Sequence, residues 1–469
     1  MQCILEKEAQ WVSPVCFFEM VRGRDAILLH SAGLGRYSII GFDPFHSMRN
    51  EPFDRLQTFL ENLGVSQKKK FLPDIPFIGG AMGFVSYDYG AGLQSISQKV
   101  RDDLQCPGMY FLFPGKVAVF DHEKQVMYVI SWGVNRFVAE TGLKDLREII
   151  SKTFSKFPQN IFQVNHLYNV DRERRKKSES LFRIAEKIFS KKHSSKPVSN
   201  LTFEQYCKKI QRVQEYLQSG DTYQVNFSQR FSAKLQSDPW DVYKRVTNLN
   251  PSPFQAFLET PDFSVVCNSP ERLVRVFEEE DYFFIETRPI KGTMPRGKTP
   301  QEDEVLRQAL LASDKDRAEL VMIVDLARND LGRVSVPGSV EVNDDRVIEG
   351  YSHVWHTLSN VRGRLRKDVT FPEVFRAVFP GGSVTGCPKK RTMEIIDELE
   401  DFRRGVYTGS MGYIGFDGRM DFNIMIRTLF VKNKMAYFHV GGGIVSDSDP
   451  TKEYQETLDK AGALLSSLS

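Results

Sequence analysis

The chain has 469 residues, 41% of them hydrophobic and 12% aromatic, and its 63 basic and 60 acidic side chains leave a formal net charge of +3. That near-balance excludes the dense basic surface of a nucleic-acid binder, and no apolar run is long enough for a bilayer, so neither nucleic acid nor membrane is expected as a partner. Six scattered cysteines (Cys3, Cys16, Cys106, Cys207, Cys267, Cys387) without zinc or C-x-x-C spacing, and an N-terminus without the apolar core of a signal peptide, fit reduced thiols in a cytoplasmic protein.

Residues 1 to about 135 alternate short β-type runs with turns and two short helical patterns. Strands are expected at 26–31, 36–41 and 77–88, and a hairpin joins 116–120 to 125–132 across Asp121-His122-Glu123-Lys124. A helical pattern at 143–154 is followed by charged, low-aromatic text. The basic runs 68–70 and 172–177 carry no interleaved aromatics and read as solvated loops. Residues 191–200 read as a linker, dividing an N-terminal part (1–190) from a second (201–469).

The second part opens with Thr202 and Gln205, the spacing of a capping box, ahead of an amphipathic helix over 203–218. Strands are expected at 223–231, 256–258, 264–268, 272–277 and 282–285. A long helix spans 300–331, broken near Ser313. Strands at 334–342, 351–361 and 409–416, a helix at 388–400, strands at 424–431 and 435–441, and a terminal helix at 450–467 complete the order. In residues 1 to about 135, antiparallel runs with few helices favour sheet-on-sheet packing over a doubly wound fold.

Several residues could carry chemistry. Lys291, between Pro289-Ile290 and Gly292, lies where the backbone can turn and approach a ligand. An amine in a partly apolar pocket becomes a nucleophile, although taken alone this residue reads as an ordinary solvated loop lysine. Glu271 after Ser269-Pro270 is a carboxyl that could stay protonated and donate a proton. Asp316 and Glu319, and Glu453 and Glu456, are spaced to share one helix face each. Either pair could be solvated surface, or both could converge on a hard cation, for which oxygen ligands suit Mg2+. The turn 381–390 and the triplet Gly441-Gly442-Gly443 offer backbone amides to an anion, or are plain bends. Arg427, in the apolar run 424–431, wants a bidentate acid partner.

In combination, Ser269-Pro270-Glu271, Thr287-Arg288-Pro289-Ile290-Lys291-Gly292-Thr293, Asp325-Leu326-Ala327-Arg328-Asn329-Asp330, Phe379-Pro380-Gly381-Gly382-Ser383-Val384-Thr385-Gly386 and Gly441-Gly442-Gly443-Ile444-Val445 strongly resemble the chorismate-utilising enzymes over about 200–467. The N-terminal third is matched more loosely. The resemblance implies an α/β (α+β) fold of two interlocked lobes, with orthogonally packed antiparallel sheets and outer helices. It implies that Gly292, Thr293, Thr385, Tyr407, Arg427, Gly441, Gly442 and Gly443 bind chorismate. It further implies that His356 sits near the ring, and that Glu319 and Glu456, with Asp316 and Glu453 in support, hold Mg2+.

Two positions separate family branches. Isochorismate and salicylate synthases resemble one another in carrying a lysine where this chain has Gln224, and anthranilate synthases have alanine where it has Lys291. A lysine there is the mark of the aminodeoxychorismate synthase component I branch, and implies covalent addition of Lys291 to the ring while Glu271 protonates the departing hydroxyl. Ammonia would come from a separate glutamine amidotransferase subunit, because no Cys-His-Glu glutaminase is legible in the chain. Anthranilate synthase component I and a catalytically silent, glutaminase-activating subunit are the alternatives. The family's tryptophan pocket would involve Ser31, Pro251, Ser252, Pro253 and Phe254, although His30 stands where relatives have glutamate.

Overall fold

Residues 1–8, 10–63, 75–158, 197–350 and 354–468 are described by the computed structural model. The basic runs 68–70 and 172–177, and positions 191–196 of the expected linker, lie outside them. The short β-type runs of the first third form the strands Ile27–His30, Tyr37–Arg49, Gly80–Val85, Met109–Asp121 and Val126–Gly133, most of their residues buried. The expected hairpin is present, with Lys116 opposite Ser131 and Asp121 opposite Val126. The run 77–88 is not one strand. After Val85, Ser86 accepts the Tyr89 amide and starts the helix Tyr87–Leu93.

Two antiparallel ladders bind this third to the rest: Ile27–His30 pairs with Phe254–Glu259, and Gly80–Val85 with Ser410–Gly415. The apolar layers are shared in the same way. Phe18 packs on Trp240 and Phe257, and Phe53 on Phe371 and Phe375.

Beyond the linker, Thr202 and Gln205 close the capping box and start the helix Phe203–Gln218. The long helix breaks at Ser313 into Pro300–Ala312 and Asp314–Gly332, the Ser313 hydroxyl accepting the Asp316 amide. The strand expected at 334–342 starts only at Glu341, as Glu341–Gly350, because Pro337-Gly338 turns the chain with Gly338 at φ +77°.

Three further expectations need correction. Lys291 is not on a loop: Ile290–Pro295 is a strand paired with Val354–Arg364, interrupted by a bulge at Gly292 with φ +80°. The triplet Gly441-Gly442-Gly443 is not a bend, but lies inside Met435–Ile444, opposite Ser228, Phe227 and Asn226 of Gln224–Lys234. Arg427 is not inside a strand. It sits between Met420–Asn423 and Thr428–Lys432 at φ +51°, where the amides of Ile424 and Met425 bond to Glu271 and Gly409 and draw the chain out of a ladder.

Candidate active site

Glu271 is fixed from both ends of its backbone. Its amide donates to the Ser269 hydroxyl at 3.1 Å, and its carbonyl accepts the Ile424 amide at 2.9 Å. Its buried carboxylate accepts the Ser383 hydroxyl at 2.7 Å. Burial pushes this acid above the ordinary carboxylate range, partly offset by the Ser383 bond and the charge of Lys291.

The strand beside it presents Lys291, whose backbone carbonyl accepts the Thr357 hydroxyl. The lysine Nζ lies 3.8 Å from Glu319 Oε2. Burial lowers its pKa below the usual amine value, while Glu319 and Glu271 pull it back upward. Gly292 needs its left-handed backbone here, and a Cβ would press on the Thr357 hydroxyl and on Asp316. Thr293 meets the buried His356 through Oγ1 and Nδ1 at 2.9 Å. Burial and then the charge of Arg427 hold that imidazole down to about 4, so it is neutral at pH 7.

Arg427 is itself kept below its usual value by burial, with no opposing acid. Among the described residues no carboxylate pairs with it, an arrangement suited to an anionic ligand. Tyr407 is buried, stacks on His439 with centroids 5.3 Å apart, and receives the Asn226 amide at 3.4 Å. A side chain at Gly441 would strike the Phe227 carbonyl and the Tyr407 hydroxyl, and one at Gly443 would strike the Gln224 amide. Thr385 faces inward, its hydroxyl donating to the Gly381 carbonyl at 2.9 Å.

The terminal helix Pro450–Leu468 brings Glu453 and Glu456 to the same strand. A Cβ on Gly442 would lie 3.0 Å from Glu453 Oε2 and 3.8 Å from Glu456 Oε1. Burial raises the Glu453 pKa against the bond from Ser448. Burial would also raise Glu456, but Lys460 at 2.6 Å, with Lys315 and Lys291, outweighs it and holds the acid below its ordinary value. These all-oxygen donors are of the type a hard divalent cation takes. Among the described residues, no three histidine, cysteine or acidic side chains are already gathered into a metal-holding group.

A family model described as chorismate binding enzyme matches residues 24–466. The chain belongs to the chorismate binding enzyme family. It is 39% identical to aminodeoxychorismate synthase component 1 of Bacillus subtilis (strain 168), over 93% of this chain and 90% of the relative. It is 35% identical to anthranilate synthase component 1 of Acetivibrio thermocellus, over 99% and 94%. The crystal structure of anthranilate synthase component I from Streptococcus pneumoniae TIGR4 superposes with a TM-score of 0.74 at 30% identity, covering 97% of each chain.

In this member of the chorismate binding enzyme family, the site also uses residues that sequence reading did not single out. Ser383 sits in the glycine-rich turn noted for its amides, but its hydroxyl serves Glu271. Lys460 donates to the Gly441 carbonyl at 3.0 Å as well as to Glu456, a link that i, i+4 spacing could have flagged. The buried pair Arg404–Glu400 ties the motifs together: Glu400 accepts the Ser228 amide and hydroxyl, and Arg404 donates to the Asn226 and Val384 carbonyls. Around the expected tryptophan pocket, the ladder of Ile27–His30 ends with His30 opposite Gln255, each one residue along the chain from Ser31 and Phe254. His30 is buried against the Tyr243 hydroxyl at 2.9 Å and is held down to about 3 by burial, so it carries no charge there. Among the described residues no helix is long and apolar enough to cross a membrane.

Proposed function

We propose that the chain is an aminodeoxychorismate synthase component I, a cytoplasmic enzyme that aminates chorismate to 4-amino-4-deoxychorismate, the precursor of p-aminobenzoate and folate. The observation that carries this reading is a partly buried lysine of lowered pKa, Lys291, whose charge acts on a buried acid of raised pKa, Glu271. A relative bearing that name at 39% identity supports it.

In this reading Arg427 pairs with a substrate carboxylate, and Gly292, Thr293, Thr385, Tyr407 and the 441–443 strand shape the ring pocket. Neutral Lys291 forms a bond to ring C2, the ring double bonds shift, and the C4–O bond breaks as Glu271 gives its proton to the departing hydroxyl. Ammonia then bonds to C4, the double bonds shift back, and the C2–N bond to Lys291 breaks, leaving the enolpyruvyl group in place. Glu319 and Glu456, supported by Glu453 and Asp316, are the residues proposed to hold Mg2+, which would neutralise the ring carboxylate. Ammonia is proposed to come from a separate glutamine amidotransferase subunit. Tryptophan is proposed as a structural ligand near Ser31 and Phe254, to be checked by calorimetry.

The second reading, anthranilate synthase, is favoured by the 35% identity to an enzyme of that name. Incubation with chorismate, Mg2+ and ammonia separates the two. An aminated ring that keeps its enolpyruvyl group carries the first reading, and anthranilate with released pyruvate overturns it.

A further inference from the structure

Glu271 borders two distinct surroundings. Lys291 stands on one. The other is a pocket walled by Ile323, Leu326, Ala327 and Leu331 of the helix Asp314–Gly332, together with Val378 and Ile424, with Glu271 and Ser383 also lining it. Neither Lys291, Thr293, Tyr407, Arg427 nor the Gly441–Gly443 strand lines this pocket, so it shares only the acid with the proposed chorismate site. Three more polar side chains line it: Arg272, whose guanidinium is held by Asp421 and Glu286, Thr287, whose hydroxyl donates to the Leu273 carbonyl at 2.7 Å, and Asp330. Asp330 is buried and held by Lys389 at 2.7 Å, yet its Oδ1 accepts no hydrogen bond and has the Arg333 guanidinium only at 3.7 Å.

We propose that this pocket is the entry and holding site for the nitrogen nucleophile, neutral ammonia, separate from the route taken by chorismate. The inference rests on the amination reading above. Aliphatic walls penalise an ammonium ion, which would surrender its hydration, far more than uncharged ammonia. The Asp330 carboxylate, already neutralised by Lys389, offers an acceptor for an N–H without drawing in a cation.

The chemistry also needs nitrogen at this place. Once Glu271 has given its proton to the leaving hydroxyl, it is a carboxylate. The ammonia lone pair forms the new C–N bond, the shifting ring electrons expel the Lys291 nitrogen as a neutral amine, and one N–H proton passes to Glu271. The product amine is then uncharged, and Glu271 is again the acid that the next turnover requires. Delivery through the pocket puts the nucleophile against the group that takes its proton.

Ala327→Leu fills the pocket. The apparent KM for ammonia should rise by at least about tenfold, while the chorismate KM and the ammonia-independent adduct on Lys291, read by intact mass, stay at wild-type values. Expressed as free NH3, the wild-type KM should be constant with pH. Leu326→Ala widens the same wall and should admit methylamine, giving an N-methylated product that the wild type does not make. Should Ala327→Leu fail to fold by circular dichroism, Leu326→Ala decides alone. If the folded variants keep wild-type ammonia KM and still exclude methylamine, the pocket is not the ammonia site. If the wild type itself makes no aminated ring, the functional reading falls and this inference with it.

Discussion

At Lys291 two opposed influences decide whether the amine is a nucleophile. Burial disfavours the ammonium form, whereas Glu319 and Glu271 favour it. Removing an acid removes the second influence, so Glu319→Gln should lower the Lys291 pKa further. The measurable result is a shift to lower pH in the profile of Lys291 acylation, with a severalfold faster rate at pH 7; an unchanged profile would mean that the 3.8 Å contact carries no weight in solution. Glu271 works in the opposite direction. The Ser383 hydrogen bond stabilises its charged form, so Ser383→Ala should raise the pKa of the acid and move the basic limb of kcat/KM to higher pH. Glu271→Gln, which cannot donate the proton, should lower kcat by roughly 10²–10⁴-fold with little change in the chorismate KM. The acid, the amine and the glycines stood out in the sequence as candidates because their motifs are contiguous. Ser383 was not, because its function depends on Glu271, whose approach is fixed only by the fold.

The same distinction governs whole elements. Helices whose caps lie in the local sequence were read to within a residue or so: Thr202 with Gln205, and the break at Ser313, settle their ends by side-chain bonds to the backbone. The glycine triplet and the Lys291 segment were misread as turns. Their strand character comes from partners distant in the chain, Gln224–Lys234 for one and Val354–Arg364 for the other. The Lys291 strand is anchored just past its end, where Asp303 receives the Arg296 guanidinium at 2.6 Å, the Gly297 amide at 2.7 Å and the Trp355 indole at 3.0 Å. Arg296, with those two neutral donors, brings the Asp303 pKa down to about 2. A depressed carboxylate stabilises the fold above its unfolded pKa and loses that contribution as pH falls toward the folded value. Asp303→Asn should therefore cost about 1–3 kcal/mol in urea unfolding at pH 7 and much less near pH 2, where the wild type has lost the same interaction. A cost that does not shrink in acid would place the effect in packing instead.

Across the whole molecule, hydrogen-bonded ladders cross between the first third of the chain and the rest. Gly80–Val85 is paired on one side with Met109–Asp121 and on the other with Ser410–Gly415, so a first-third strand fills the space between strands of both parts. Gly83 makes the double pairing possible, because a Cβ there would strike the Tyr110 carbonyl. If this shared sheet dictates cooperativity, unfolding of one part must unfold the other. The four tryptophans allow a direct reading: Trp11 and Trp132 belong to the first third, and Trp240 and Trp355 to the rest. Variants retaining only Trp132 or only Trp355 should show the same urea midpoint by fluorescence. Adding Gly83→Ala should lower both midpoints together, by an equivalent of about 3 kcal/mol, although Trp355 lies far along the chain from the substitution. If only the Trp132 signal moved, the two parts would be separate folding units, and the ladders between them would be contacts of convenience instead of the frame that holds Lys291 against Glu271.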